Sequence, residues 1–513
     1  MRIFAAIDVG SFELTCRIFE YTAKNGMKAI DTLRYQLDLG NDTFTMGKIG
    51  KDKLDELCSV LLSFRDAMRS YRVDTYRACG TSAIRETENT MILLDQITQR
   101  TGIKIEVLSN SEQRFLNYKA AASKGQEFRK ILEKKTAILD IGGGSIQISL
   151  FHEDTLTSTQ NIGLGVLRLR ELLERFAGNR EKHERLLTEA IDGELISFQR
   201  LYLKNKNVEH MVLIDDYISP RMVRLQKQKM QGMSMTYQQF CENGEYFRNN
   251  GRVGREWLPE IYEEGADQVF IASLLIRRCM KLMGAKVLWT PGVTLCDGIG
   301  YEYGQKKGLL EVGHDFEQDI LACALQISKR YQGSPSQEET LETVCLLIFD
   351  SMKKIHGLNK RERLLLRLSA ILHDCGKYIS IANMAECSYQ IVLSTEMIGL
   401  SHREREMVAN IIRYHQKPFG YYEEVGAAAS LDREAYMKIA KLTAILKLGS
   451  ALDGGQGRKF EDVRVVRKEN LLMITVHTNE DMTRERGLFE RQADFFEEVY
   501  SIRPLLRQKK TVY

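Results

Sequence analysis

The sequence predicts an α/β protein that closes with a mostly helical region and a small α/β piece, and three observations carry that prediction. Over the first 130 residues, strand-like and helix-like segments alternate, the pattern of a sheet with helices on its faces. A second unit of the same kind opens near Thr136. From Asp315 to about Leu452 nearly every segment is helix-periodic, and strands return only towards the end of the chain.

Taken in order, Ile3 to Asp8 reads as a buried strand and Leu14 to Phe19 as a second, joined by a Gly-Ser turn. Lys51 to Tyr71 places Leu54, Leu57, Cys58, Leu61 and Leu62 at helical spacing. Val73–Cys79 and Lys104–Leu108 read as strands with a helix, Asn89–Arg100, between them. The second unit has strands Ala137–Ile141 and Ile146–Phe151 around a glycine run, then helices Leu167–Phe176 and Arg185–Lys204. Asp267–Met283 is an apolar helix and Lys286–Trp289 a short strand. The helical region is broken at Gly333–Ser336 and Lys417–Gly420, and the last piece has strands Val463–Val466 and Leu471–Val476 before a helix, Arg484–Tyr500. The expected domains are 1–130, 131–305, 306–455 and 456–513. Two units that each open strand–glycine loop–strand suggest a duplication.

At 513 residues the chain exceeds one ordinary core; at roughly 150 residues per domain it holds three or four. A hydrophobic share of 43% with 28% charged residues excludes disordered and fibrous classes. A net charge of +4 is too balanced for a general nucleic-acid binder, so no duplex partner is expected. No run reaches the ~18–20 apolar residues of a membrane helix. The apolar start after Arg2 is broken by Asp8 and Gly10, so it reads as a strand rather than a leader. Ten cysteines without Cys-x-x-Cys spacing argue against a disulfide framework or zinc ribbon and for buried thiols in a cytoplasmic protein. Arg221–Lys229 is a basic stretch that reads as a solvated helix face or a polyanion groove, and Arg507–Lys510 reads as a frayed tail.

The chemistry concentrates in two loops. Asp8-Val9-Gly10-Ser11 and Asp140-Ile141-Gly142-Gly143-Gly144-Ser145 each follow a strand, about 130 residues apart. Glycine there lets an anion approach backbone N–H groups without meeting a Cβ. An aspartate at each strand end can hold a hydrated Mg²⁺ against the phosphates. Phosphate binding between two domains follows.

These loops, with Gly80-Thr81-Ser82-Ala83-Ile84-Arg85 and Ile105-Glu106-Val107-Leu108-Ser109, resemble the Ppx/GppA family of exopolyphosphatases and guanosine pentaphosphate phosphohydrolases. Ala370-Ile371-Leu372-His373-Asp374 and Arg413-Tyr414-His415 resemble that family's HD-type helical domain. The resemblance implies two actin-like domains of the ASKHA, ribonuclease-H-like kind, then an HD-like domain and the small α/β piece. It also implies hydrolysis of a terminal phosphoanhydride of polyphosphate or pppGpp with Mg²⁺, and a homodimer. In that scheme Asp8 and Asp140 support metal and water, while Gly10, Ser11, Arg85, Gly142, Gly143, Gly144 and Ser145 hold phosphate.

The chain departs from the family at the glutamates that activate water. The pattern Ser-Gly-x-Glu-Glu-Ala-Arg is Ser109-Asn110-Ser111-Glu112-Gln113-Arg114-Phe115 here, so the second glutamate falls on Gln113. The glutamate after the glycine run falls on Gln147. An amide cannot take a proton at neutral pH, and general-base help is worth ~10²–10⁴ in rate. Glu112 is a rescue candidate, but neighbouring helical residues point about 100° apart. The third phosphate loop falls at Leu213–Tyr217, which has two aspartates and no glycine. In the helical region only His373, Asp374 and His415 of the implied metal ligands remain; Gln337, Cys387 and Ser450 stand at the others. Weak metal binding and a hydrogen-bonded helix tie both remain open there, and so do slow hydrolysis and a ligand-binding role without turnover in the cleft.

Overall fold

The computed structural model describes the chain except residues 1, 24–25, 175, 177–179, 205–206, 220–232, 243–265, 312, 423–430, 453–461 and 511–513. The basic stretch Arg221–Lys229 therefore lies outside the described residues. Two compact units are formed, Met1–Asp315 and Phe316–Tyr513.

The first unit holds two sheets. In the first, β1 (Arg2–Val9), β2 (Glu13–Thr22), β3 (Gly26–Gln36), β4 (Thr75–Gly80) and β5 (Ile105–Val107) lie in the order β3-β2-β1-β4-β5. In the second, β6 (Thr136–Ile141), β7 (Ile146–His152), β8 (Thr155–Ile162), β9 (His210–Asp215), β10 (Met233–Thr236) and β11 (Val287–Thr290) run β10-β11-β9-β6-β7-β8. Stripped of β10, the second order repeats the first. Each sheet opens with an antiparallel three-strand meander and continues with two parallel neighbours, β1/β4/β5 and β6/β9/β11. The duplication expected from the loops is therefore visible in the strand order. The meander strands β3 and β8 did not stand out in the sequence, because β3 alternates only partly buried residues.

Around the first sheet lie α1 (Lys51–Ser70), α2 (Ser82–Glu86), α3 (Thr90–Thr101), α4 (Asn110–Ala122) and α5 (Gln126–Leu132). Helix α1 seats Leu57, Leu61 and Phe64 in a core with Ile7, Ile18 and Ile97, all buried. Around the second sheet lie α6 (Val166–Glu174), α7 (Arg180–Phe198) and α8 (Ala266–Met283), the last burying Ile271, Leu275 and Cys279 against β6 and β9 residues. Helix α9 (Leu295–Lys306) returns to the first sheet, although sequence order puts it after the second. Its Leu295, Cys296 and Ile299 share a core with Phe4, Phe19 and Leu116. Arg17 Nη1 donates to Asp297 Oδ2 at 2.6 Å beneath it. At Gly298 a Cβ would run into the carbonyl oxygen of Leu116, so glycine is what lets α9 cross α4 closely.

The second unit is helical through α10 (Phe316–Arg330), α11 (Pro335–Ser351), α12 (Lys360–Leu372), α13 (Met384–Ser394), α14 (His402–Gln416) and α15 (Arg433–Leu452). It closes with β12 (Asp462–Lys468), β13 (Leu471–His477), α16 (Thr483–Tyr500) and β14 (Arg503–Lys509). The tail expected to fray is instead β14, paired in parallel with β13 from Leu471↔Arg503 to His477↔Lys509. The crossover helix α16 brings it back to the sheet, so its backbone is hydrogen-bonded despite its basic side chains. All ten cysteines are free thiols and eight are buried. Among the described residues no helix is long and apolar enough to cross a membrane.

Candidate functional site

The two expected loops have the same local geometry. Gly10 N donates to Glu13 O at 3.2 Å, and Gly142 N donates to Ser145 O at 3.0 Å. A Cβ at Gly10 would stand 2.6 Å from Glu13 O, closer than side chains come, so the turn demands glycine. Ser11 Oγ lies 2.8 Å from Ser82 Oγ and accepts from Ala83 N at 3.2 Å, fastening the first loop to the start of α2. The second loop is fastened by α6, whose Val166 N donates to Gly142 O at 3.1 Å and Leu167 N to Gly143 O at 2.9 Å. Gly165 packs directly on this loop, with no room for a Cβ against Gly143–Ser145.

Helices α2 and α4 bring their side chains to the second loop. Arg114 is buried and its Nη2 donates to Ser145 Oγ at 2.7 Å. Asn117, one turn later, donates from Nδ2 to Asp140 Oδ2 at 3.0 Å. Arg85 Nη1 donates to Leu108 O at 2.8 Å and to Gln113 Oε1 at 3.4 Å, and its Nη2 to Asn110 Oδ1 at 2.6 Å. Burial holds the Arg85 guanidinium below its ordinary range, against the pull of neighbouring Glu86, and the charge of Arg114 lowers it further. Arg114 was not singled out from sequence: it stands where the family pattern has alanine.

The expected glutamine positions separate. Gln113 lies on α4 beside Arg85, part-buried. Gln147 is buried on β7, directly across from Asp140 in the β6/β7 register, and its Nε2 donates to Ser149 Oγ at 3.3 Å. Ser149 in turn shares a 2.8 Å hydrogen bond with Thr159. Glu112 is already engaged. Its Oε2 accepts from Ser109 N at 2.9 Å and from Ser109 Oγ at 2.6 Å, the capping box that starts α4. The Ser-x-x-Glu spacing carried this signal in the sequence.

The aspartates face one another electrostatically. Asp8 Oδ1 is shut off from solvent and has no hydrogen-bond partner among the described residues. Burial, then Asp216 and Glu13, pushes its carboxyl well above the ordinary range. Burial raises Asp140 too, against the pull of Arg114 and Asn117. Asp216 is exposed at its surface, yet desolvation, then the charges of Asp215, Asp140 and Glu13, pushes its carboxyl up to about 7. Crowded carboxylates of this kind fit a cation. Mg²⁺ commonly takes one or two carboxylates and completes its shell with water and substrate phosphate. Among the described residues no three or more His, Cys, Asp or Glu side chains have metal-binding spacing, which leaves the unpartnered Asp8 Oδ1 as the atom that fits a cation.

At the third loop, Asp215 ends β9 beside Ile141 of β6. Its carboxylate accepts from Tyr217 N at 3.0 Å, from Ser219 N at 2.9 Å, and from Ile218 N and Ser219 Oγ. The backbone donors there are therefore taken by the chain's own carboxylate.

In the second unit, His373 and His415 meet edge to face with ring centroids 5.6 Å apart. Their Nδ1 atoms donate to Ala370 O at 2.8 Å and Ile412 O at 2.6 Å. Asp374 Oδ2 accepts from Lys377 Nζ at 2.9 Å, whereas Asp374 Oδ1 and His415 Nε2 are buried without a hydrogen-bond partner among the described residues. Burial, then His373, holds the His415 ring down at about 3, so it stays neutral.

The comparisons agree with this geometry. The sequence model of the Ppx/GppA phosphatase family matches residues 18–306, and that of Ppx/GppA phosphatase, domain III, matches residues 322–494. A guanosine-5'-triphosphate,3'-diphosphate pyrophosphatase of Photobacterium profundum is 19% identical over 464 residues, 86% of each chain. Exopolyphosphatase 1 of Mycobacterium tuberculosis is 27% identical over 191 residues, 37% of this chain and 54% of its own. The crystal structure of an exopolyphosphatase from Cytophaga hutchinsonii superposes with TM-score 0.51 at 19% identity, covering 60% of this chain and 98% of its own. The Ppx/GppA family member of Aquifex aeolicus gives 0.50 at 18%, with the same coverage. With more than half of its length matched, the chain belongs to the Ppx/GppA phosphatase family.

Proposed function

We propose that this protein hydrolyses the terminal phosphoanhydride of polyphosphate or pppGpp between its two actin-like domains, with weakened catalysis. The observation that carries this reading is the tie of Arg114 to Ser145 on the second glycine loop, with Asn117 of the same helix on Asp140 and Arg85 beside Gln113. Arg85, Arg114, Ser11 and the glycine N–H groups would hold phosphate oxygens, and a guanidinium fork matches phosphate geometry. Mg²⁺ at Asp8 and Asp140 would supply charge neutralisation of the phosphate oxygens. Gln113 and Gln147 orient water by hydrogen bonding without accepting its proton, which is the reason for slow turnover.

A catalytically silent regulator that binds polyphosphate, (p)ppGpp or a nucleotide is the second reading, favoured by the amides at 113 and 147 and by the capping role of Glu112. The HD-like resemblance of the helical unit is read as a helix tie by His373 and His415 rather than a working phosphodiesterase. A cytoplasmic homodimer remains the proposed state.

Phosphate release from long-chain polyphosphate with Mg²⁺ tests the main reading, with Asp8→Asn as the blank. That variant removes a crowded buried charge, so it keeps the fold while losing the cation. Release above the blank supports hydrolysis. Equal release moves the assignment to the regulator, to be followed by direct binding of the same ligands.

A further inference from the structure

A carboxylate that the family pattern does not assign stands at the second glycine loop. Glu86 ends α2, immediately after Arg85, and its side chain is 44% exposed. Its Oε1 lies 3.6 Å from Arg85 Nη2. The same oxygen is the nearest atom to the open side of Gly144, 4.0 Å from where a Cβ would stand. Glycine at 144 thus leaves a gap between the loop and a carboxylate, and the next residue of the loop, Ser145, is held by Arg114.

The other carboxylates near this loop are engaged. Glu112 caps α4, Asp215 accepts from residues 217–219, and Asp140 accepts from Asn117. Asp8 and Asp216 are crowded together at the strand ends, the side that fits a cation. Glu86 stands instead beside Arg85 and Gly144, and it opens to solvent.

We propose that Glu86 is the general base of this chain, taking the role left by Gln113 and Gln147. The inference rests on the cleft hydrolysing phosphoanhydrides. In the step, water attacks the terminal phosphorus as its proton passes to the Glu86 carboxylate. The new P–O bond forms while the bond to the bridging oxygen breaks. The shortened chain leaves with that oxygen and its electron pair, inorganic phosphate departs, and Glu86 returns its proton to solvent. Arg85, 3.6 Å away, would offset charge on the leaving oxygen.

The test measures saturating phosphate release and, separately, polyphosphate binding for the full chain, Glu86→Gln and Glu86→Asp, with Asp8→Asn as the blank. Loss of a general base is worth ~10²–10⁴ in rate. Glu86→Gln should therefore lower kcat about 100-fold or more while binding polyphosphate as tightly or more tightly, and should lose the acidic limb of the pH–rate profile. Glu86→Asp should recover part of the rate. A merely structural role would weaken binding and leave the pH profile in place, which overturns the proposal. So does a kcat for Glu86→Gln within threefold of the parent, or a kcat loss found in Asp216→Asn and not in Glu86→Gln. If the parent chain itself releases no phosphate above the blank, hydrolysis fails and the role of Glu86 fails with it, an outcome distinct from release that ignores Glu86.

Discussion

Arg114 Nη2 donates to Ser145 Oγ at 2.7 Å, so the helix that carries Gln113 is tied to the glycine loop by a buried cation. Bonds to charged groups contribute about 1.5–3 kcal/mol. Arg114→Met should weaken polyphosphate binding roughly 10–100-fold, since every 1.4 kcal/mol is tenfold. Titration calorimetry at fixed salt checks this, and unchanged affinity would mean that the phosphates lie elsewhere.

Restoring the family glutamates should have unequal effects. Gln113→Glu puts a carboxylate within reach of Arg85 and should raise phosphate release at least tenfold, in the range general-base help supplies (~10²–10⁴). Gln147→Glu puts one in a buried position opposite Asp140, and should lower thermal stability in the absence of Mg²⁺. Equal gains from the two substitutions would contradict their separation in the structure.

Asp216 titrates at about 7, above the ordinary 3.8. Below that pH it is mostly neutral and above it the added charge repels phosphate, while stability is lost through this carboxyl as pH rises from about 3.8 to about 7. Without Mg²⁺, polyphosphate binding should weaken between pH 6 and pH 8, and Asp216→Asn should flatten the dependence. A profile that stays steep in the variant refutes the assignment.

Glu302 works in the opposite direction. Burial would raise its carboxyl, but Lys119 and Lys306 bring it from 4.5 to about 2. Their ammonium groups lie 2.8 and 2.9 Å away, with Arg77 at 2.7 Å. A lowered carboxylate contributes stability that is present above about pH 4.5 and is lost as pH falls through about 2. Urea unfolding at stepped pH should show Glu302→Gln less stable than the parent at pH 6, with the gap closing toward pH 2.

The Gly298 crossing predicts a packing defect with functional reach. Gly298→Ala drives a methyl into Leu116's carbonyl, and overpacking of this kind costs typically 1–3 kcal/mol. A lower unfolding midpoint is expected together with slower phosphate release, because α4 carries Arg114 and Asn117. A variant as stable as the parent would show that α9 can shift at no cost.

Most helices, both glycine turns and the strands flanking those turns were legible because their signals are local, whereas β3, β8, β9, β10 and β14 were not. Apolar periodicity marks elements, and Asp-x-Gly after a strand marks a turn whose geometry only glycine satisfies. That amides stand at 113 and 147, where the family pattern has glutamates, was legible as well, since it depends on residue identity alone. Glu112 was half legible: its capping spacing was present, but its availability could be judged only once Ser109 was seen to hold it. The frayed-tail reading failed because basic composition says nothing about a parallel partner supplied from thirty residues earlier.

By itself, then, the sequence determined the local turns, many of the periodic elements and the amides at 113 and 147. Tertiary structure alone decided the rest. It returned α9 to the first sheet, brought Arg114 and Glu86 to a loop they are far from in sequence, and filled the third loop with Asp215. Those outcomes depend on which backbones can approach closely and which charges share an enclosed space, and neither is encoded at any single position.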